Sequence, residues 1–183
     1  MPVKIIKVSD RSQLKLFATF ANRLYKGNPY YVPAMPPDEM ITLGKDSNAA
    51  FAFCQADYFL AYKDGKLVGR VAAILNPKAN DAWSVKQVRF GWFGFVDDPE
   101  VSEALLEAVS SWGKERGMTH IVGPLGFTDF DPEGMLVEGF DRLGTMAMIY
   151  NHPYYMKHME RLGFVKDVDW LEYRITIPDE LPE

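Results

Sequence analysis

The sequence predicts an α/β domain in which helices cover both faces of a mixed β-sheet. Apolar runs of strand length alternate along the chain with patterns of helical spacing, which is typical of a sheet flanked by helices. One pair of runs is joined as a hairpin and another is separated by a helix, so antiparallel and parallel neighbours are both expected. With 183 residues and 48% apolar content, the chain can bury one continuous core. We expect about six or seven strands in a single domain over residues 1–178, with a linker-like tail at 179–183.

Composition excludes several classes of function and of partner. The net charge of −5 contains no long run of one sign, which disfavours binding to nucleic acid or to a membrane surface. No stretch approaches the roughly 20 apolar residues of a membrane-spanning helix, and Met1–Lys7 lacks a signal-peptide core, so we expect a cytoplasmic protein. The single cysteine, Cys54, is expected to pack in the core. The three histidines lack the spacing of a zinc site, and no metal is expected.

The first part of the chain predicts a strand, a helix and a long loop. Val3–Val8 alternates and carries β-branched residues, as a half-buried strand does. Asp10 then precedes Gln13 by three positions, which resembles a capping box at a helix start. Apolar residues continue at helical spacing until Gly27, where the helix is expected to end. Asn28–Asn48 is rich in proline, tyrosine and polar residues and predicts a loop containing one turn.

A β-hairpin is the clearest local feature of the sequence. Tyr58–Tyr62 and Leu67–Leu75 are both rich in residues that favour strands. They are joined by Lys63–Lys66, in which Asp64 and Gly65 suit a type I′ turn. We therefore expect two antiparallel neighbours here.

The middle of the chain predicts a strand, a helix and a second, parallel strand. Val88–Val96 is dense in aromatic residues, as expected for a central strand covered on both faces. The next helix begins with Asp98 as N-cap and Pro99 at the first helical position, and it ends at Gly117. Thr119–Val122 is a short apolar run that completes the strand–helix–strand unit.

The last third is less regular. Glycine, proline and aspartate interrupt Gly123–Gly144, within which Glu133–Phe140 predicts a short helix; we expect the whole segment to wall the main pocket at the carboxyl ends of the parallel strands. A brief strand at Met146–Tyr150, a helix at Tyr154–Leu162 and a final strand at Phe164–Ile177 are expected to follow.

This order of elements resembles the GNAT superfamily of acyl-CoA-dependent acyltransferases. Three local patterns carry the resemblance: the hairpin Asp64–Gly69, the central strand that passes into a helix at Pro99, and the helix exit Met159–Phe164 with its Leu-Gly-Phe ending. The likeness extends from Lys4 to Ile177. The run Gly-Pro-Leu-Gly-Phe at 123–127 and the paired tyrosines are also similar to bacterial proteins in which a second domain follows.

The resemblance implies an acyl-CoA-dependent N-acyltransferase that acts on an amine. Acetyl-CoA or another acyl-CoA would lie where the two parallel strands diverge, with backbone N–H groups of the central strand polarising the thioester carbonyl. Many members place a tyrosine acid where this chain has Met159, so neighbouring groups are the candidates for that role. The candidate catalytic residues are Tyr154, Tyr155 and His158, and the candidate cofactor-binding residues are Phe93, Gly94, Phe95, Val96 and Asn151.

Simpler interpretations of the same residues remain open. Adjacent helical residues point about 100° apart, so one tyrosine of the pair can pack in the core instead. Asp129, Asp131 and Glu133 can supply a general base or can form turns. The expected partners are a small-molecule ligand and either a second domain or a further copy of the chain.

Two carboxylates at the expected phosphate turn favour a second hypothesis. Asp97 and Asp98 place negative charge and a helix cap where related enzymes bind pyrophosphate with a glycine-rich turn. We expect CoA to bind more weakly than in those enzymes, or with its phosphates elsewhere. The alternative is a non-catalytic module of the same fold, which binds a ligand or supports a neighbouring domain.

Overall fold

The computed structural model describes residues 2–145, 148–173 and 175–176. Within these residues it contains one mixed sheet of five strands in the order β1-β2-β3-β4-β5. The first four strands pair as antiparallel neighbours. The last two, β4 and β5, run parallel and are connected along the chain by a helix. The strands are β1 Lys4–Lys7, β2 Gln55–Lys63, β3 Lys66–Leu75, β4 Gln87–Phe95 and β5 His120–Val122.

The helices lie on both faces of this sheet, as the sequence predicts. The first helix begins at the capping pattern, because Asp10 accepts a hydrogen bond from the Gln13 backbone N–H at 2.8 Å. Gln13 in turn accepts from the backbone N–H of Ser9 at 2.8 Å. The helices are α1 Arg11–Ala18, α2 Phe20–Leu24, α3 Pro36–Leu43, α4 Pro77–Trp83, α5 Pro99–Lys114 and α6 Tyr154–Arg161, with a 3-10 turn at Ala49–Ala52.

Two apolar cores form because strand residues alternate between the faces of the sheet. In β2, Phe59 and Ala61 face the core shared with α5 and α6, while Tyr58 and Leu60 face the core shared with α1 and α3. Cys54 is buried in the second of these cores, as predicted.

The middle of β4 carries an irregularity that shapes the site. Gly91 lies opposite Ala72 and Gly94 lies opposite Arg70, so Trp92 and Phe93 together face a single residue of β3. Trp92 accommodates this bulge with a φ of 46°. A bulge bends the strand and increases its twist, so the end of β4 turns away from the line of its neighbour β5.

Several predicted elements are confirmed. The β2–β3 turn has positive φ at Asp64 and Gly65, 53° and 75°, as a type I′ turn requires. The Asp98 cap and Pro99 start α5, and the parallel unit β4–α5–β5 and the helix α6 are present where they are expected.

Other expectations are wrong. Five strands are described instead of six or seven, because Phe164–Ile177 forms no strand in its described residues. Glu133–Phe140 is not helical; Gly134 and Gly139 adopt φ of 83° and 81°, which interrupts a helix. In the loop Asn28–Asn48, the single turn expected around Asp38–Leu43 is the longer helix α3, Pro36–Leu43.

The C-terminal expectations are tested only in part. The predicted strand at Met146–Tyr150 reduces to a single bridge between Met148 and Glu133 among its described residues. The predicted tail at 179–183 lies outside the described residues. None of the described helices combines the length and apolar character that crossing a membrane requires.

Candidate functional site

The two parallel strands diverge after a short region of pairing. Gln87–Arg89 of β4 pairs with all three residues of β5. The chain after β5 then makes one more contact, from the Leu125 N–H to the Phe90 carbonyl at 2.8 Å. Beyond Phe90, the described residues add no further strand pairing on this side of β4. The candidate site lies on this side of β4 beyond Phe90, where the pairing has ended, in the region called the cleft below.

Both tyrosines of the predicted pair reach the backbone of Phe95 at the end of this cleft. The hydroxyl of Tyr155 accepts the Phe95 N–H at 3.2 Å, and the hydroxyl of Tyr154 donates to the Phe95 carbonyl. Tyr155 is fully buried, and its oxygen also lies 2.9 Å from the hydroxyl of Tyr25 at the end of α2. The tyrosines thus provide hydrogen bonds that a neighbouring strand would otherwise make.

The hydroxyls of this cluster are held in their neutral form. Burial raises the pKa of Tyr155 to about 12, although its contacts with Tyr25 and Phe95 and the charge of Arg70 act in the opposite direction. Burial also raises the pKa of Tyr25 and Tyr154 well above the ordinary tyrosine value. At neutral pH each hydroxyl therefore retains a proton that it can donate.

His158 joins α6 to the start of α5. Its Nε2 lies 2.9 Å from an Asp97 carboxylate oxygen and its Nδ1 lies 2.8 Å from the hydroxyl of Ser102. The imidazole is buried, whereas the Asp97 carboxylate is largely exposed. Both ring nitrogens of His158 therefore have hydrogen-bond partners, and these contacts hold α6 against the start of α5.

Carboxylates occupy the N-terminus of α5. Asp98 accepts the Glu100 N–H at 3.0 Å as the helix cap. Lys63 lies 2.6 Å from Asp98 and 2.9 Å from Glu100, so its cation neutralises part of this charge. These carboxylates raise the pKa of Lys63. The N-terminus of α5 is therefore already capped by Asp98, and the carboxylates of Asp98 and Glu100 are paired with Lys63.

Comparisons with known proteins agree with this geometry. No protein-family model matches the chain. A predicted acetyltransferase of Clostridium acetobutylicum with acetyl-CoA is similar in structure, with a TM-score of 0.54 at 10% identity over 94% of this chain and 96% of that one. AAC(6')-Iy in complex with a CoA bisubstrate analogue has a TM-score of 0.52 at 14% identity over 97% of this chain and 100% of that one.

The chain has the fold of the GNAT acetyltransferases.

Two curated relatives are longer proteins. Protein YghO of Escherichia coli is 30% identical over 165 residues, which are 90% of this chain and 42% of the relative. The bacterial ceramide synthase of Caulobacter vibrioides is 28% identical over 182 residues, 99% of this chain and 47% of the relative. The chain thus spans just under half the length of each.

Several of the predicted cofactor-binding residues already have partners within the chain. The side chains of Phe93 and Phe95 are buried in the core, and the backbone N–H and carbonyl of Phe95 are bonded to Tyr155 and Tyr154. The Val96 N–H already donates to the Val68 carbonyl at 3.0 Å. The side chain of Asn151 holds the Leu136 backbone, accepting from its N–H at 2.7 Å and donating to its carbonyl at 3.1 Å. A cofactor contact from Asn151 stays a prediction.

The irregular segment that follows β5 contacts both cores, with Phe127 in the core shared with α1 and α3 and Met135 packed against the core shared with α5 and α6. Phe127 is fully buried, and its carbonyl accepts from Asn76 at 3.1 Å. Phe127, Thr128 and Asp131 line a depression of about 420 Å³ together with α3 and the loop that follows it. Asp131 also accepts the Thr128 N–H at 3.0 Å, so it forms a turn in this segment.

Sequence reasoning missed three residues that contact the candidate site or support it: Tyr25, Lys63 and Ser102. Each meets its partner across a large separation, 130 residues between Tyr25 and Tyr155 and 56 between Ser102 and His158. A single sequence contains no local signal for such contacts. Arg70 was also missed, although an arginine within an apolar strand is itself a signal that a buried charge has a role.

Proposed function

We propose that this chain is an acyl-CoA-dependent N-acyltransferase domain that acts on an amine. The observation that supports this most directly is the cleft beside β4, in which the backbone of Phe95 has only tyrosine hydroxyls as partners. A strand edge without a neighbouring strand can bind an extended, amide-containing ligand through main-chain hydrogen bonds. The GNAT fold and the name of one relative, bacterial ceramide synthase, support amide formation as the reaction class.

The reaction requires a polarised thioester and an acid for the leaving thiolate. The backbone N–H of Phe93, in the β4 bulge, is the candidate donor to the carbonyl oxygen. The amine then attacks the carbonyl carbon, the C–N bond forms, and the C–S bond breaks. Tyr155 is neutral and buried at this position, so its hydroxyl can donate to the departing sulfur. The amine gives its proton to the Tyr25 oxygen while Tyr25 passes its own hydroxyl proton to Tyr155, its hydrogen-bond partner, so both tyrosines end neutral.

Calorimetric titration with acetyl-CoA and with palmitoyl-CoA tests binding, and release of free thiol in the presence of an amine tests transfer. We expect saturable binding of at least one of the two thioesters. The variant Tyr155→Phe should lower kcat by about 100-fold or more with little change in thioester affinity, because it removes the acid while keeping the ring. Tyr173→Phe, which alters an exposed hydroxyl, is the matched control. Absence of binding by either thioester would reject the enzyme hypothesis.

A non-catalytic module is the second candidate, and specific contacts favour it. Asp97 and Asp98 place carboxylates at the phosphate end of the cleft, while Tyr154 and Tyr155 already occupy the Phe95 backbone. Under this hypothesis the tyrosines are structural, and Tyr155→Phe reduces stability and not catalysis. The thiol-release assay separates the two candidates, since the module would show no thiol release with any amine.

A further inference from the structure

Arg70 is a buried cation in the middle of the sheet. It lies on β3 opposite Gly94 of the β4 bulge and is 7% exposed. No carboxylate in the described part of the chain lies within ion-pairing distance of its guanidinium. Burial without a counter-ion lowers the pKa of Arg70, which nevertheless stays charged at neutral pH because free arginine titrates so high.

One nitrogen of the guanidinium has a clear structural role. Nη1 donates to the carbonyls of Phe17 at 2.6 Å and Ala18 at 3.1 Å, which are the last carbonyls of α1. The C-terminal end of a helix carries partial negative charge, so this contact offsets part of the cost of burying the cation. It holds α1 against the sheet.

The other edge of the same group is unused. Nε is buried without a hydrogen-bond partner, and the described residues provide no partner for Nη2. Nε and Nη2 form the planar edge that binds a carboxylate through two parallel hydrogen bonds. Leaving a buried donor unpaired is destabilising, and more so when the donor is charged, so stability alone does not explain why this edge is free.

The surroundings of the free edge suit a small oxyanion. A Cβ placed on Gly94 would lie 3.7 Å from Nε and 3.4 Å from the Phe20 ring, so the absence of a side chain leaves space of methyl size there. Tyr25 and Tyr155, which bind each other beside Phe95, both interact electrostatically with Arg70. The nearby acid Glu39 is already bonded to the Trp92 indole N–H at 2.9 Å.

We propose that the Nε–Nη2 edge of Arg70 binds a carboxylate and that the amine acceptor of this cleft carries that carboxylate. The assignment to an acceptor amine rests on the proposed acyl transfer, whereas the binding of a carboxylate by Arg70 does not. A carboxylate matches the planar edge, and its single charge is less costly to bury than the double charge of a phosphate monoester. The neutral tyrosine hydroxyls add donors beside the same space.

The resonance of the Arg70 Nε–H reports binding directly by NMR. Titration with sodium acetate at constant ionic strength should shift this resonance saturably, and acetamide, which has the same shape without the charge, should not. Inorganic phosphate is the third probe, and a larger response to phosphate than to acetate would overturn the choice of carboxylate. The resonance is assigned by its loss in Arg70→Lys, with Arg116→Lys in the turn that follows α5 as the control.

A second variant keeps the test valid if Arg70→Lys does not fold. Gly94→Ala makes only ordinary contacts with Phe20 and Arg70, so it should fold and narrow the space beside Nε. We expect acetate to bind it about tenfold more weakly or worse, the loss expected for one charge-assisted hydrogen bond. Gly144→Ala, whose Cβ would lie 3.4 Å from the Met148 Cβ, is the matched control. An unshifted Arg70 resonance with acetate, or equal shifts with acetamide, would overturn the proposal.

Acyl transfer to glycine and to glycinamide separates the two parts of the proposal. Both amines are small, and only glycine carries the carboxylate, so glycine should be the better acceptor in the wild type and lose that advantage in Gly94→Ala. If neither amine is acylated although acetate shifts Arg70, the carboxylate site stands and the assignment to an acceptor amine is overturned. Preference for glycinamide would overturn that assignment as well.

Discussion

The charge of Lys63 governs the electrostatics of the α5 N-terminus. Its hydrogen bond lowers the pKa of Asp98, and the Glu100 backbone N–H acts in the same direction. The folded-state pKa thus lies below the unfolded value of about 3.9. Asp98 therefore contributes stability above that value, and the contribution is lost as the pH falls through the folded pKa.

Asp98→Ala should lower the free energy of unfolding by about 1 kcal/mol at neutral pH, because it removes the N-cap of α5 and the partner of Lys63. Urea denaturation measures the difference, which should vanish in acid below the pKa of Asp98. Asp169→Ala, in an exposed pair with Lys166, should change little at either pH. An effect of Asp98→Ala that persists in acid would contradict the role given to its charge.

The same carboxylates are expected to oppose CoA. Replacing Asp97 with Asn and Asp98 with Gly should tighten CoA binding, with a gain that fades at high salt, because it removes negative charge and frees helix donors for phosphate. The structure adds Lys63, which the change would release as a phosphate partner. Adding Lys63→Gln to the double variant should remove most of the gain in a calorimetric titration. A double variant that binds no better than the wild type would show that the carboxylates do not obstruct the site.

At the scale of elements, α6 is positioned by polar contacts as well as by its apolar face. His158 bonds to Ser102 within the N-terminal part of α5, and Tyr155 bonds to β4. These contacts determine where the tyrosine hydroxyls lie in the cleft. The geometry of the candidate site thus depends on a contact between two helices that lies outside it.

Ser102→Ala should destabilise the protein by about 1–3 kcal/mol, because Ser102 is fully buried and the change leaves Nδ1 of His158 without its partner. Hydrogen exchange of the α6 backbone should accelerate more than that of the β2–β3 hairpin. Ser111→Ala, an exposed serine on the same helix, is the matched control. Equal destabilisation by both variants would show that the effect arises from helix propensity and not from the histidine contact.

Elements with local signals could be predicted from the sequence, and those that depend on distant partners could not. The turn at Asp64 and Gly65 and the cap at Asp98 are local, and both elements are present as predicted. The helix α4 was missed although Asn76 caps it and Pro77 begins it, which is the same kind of signal. The expected final strand fails because a strand requires a neighbour, and its own residues do not reveal whether one exists.

Prediction from the sequence has the same limit at the candidate site. Tyr154 and Tyr155 were singled out, and both reach β4, yet their common partner is the backbone of Phe95, which no residue pattern encodes. The free edge of Arg70 is also a property of the folded chain, since it depends on which carbonyls the end of α1 offers.

At the scale of the whole molecule, the end of the predicted domain at residue 178 stays a prediction. Phe164 packs against the core, with its ring 5.7 Å from that of Phe90. The described residues that follow expose apolar side chains to solvent. The exposed apolar residues are Val165, Val168, Trp170, Leu171, Tyr173 and Ile175.

Ending the chain after Phe164 should therefore change the free energy of unfolding by less than about 1 kcal/mol, since exposed side chains contribute little. Self-association, measured by analytical ultracentrifugation, should decrease because the exposed apolar residues are gone. Ending the chain before α6 is the contrasting variant; it removes Tyr155 and Met159 from the core and should abolish cooperative unfolding. A loss of several kcal/mol on ending at Phe164 would instead place the domain boundary near residue 178, where the sequence predicts it, and would show that residues 165–178 stabilise the GNAT sheet.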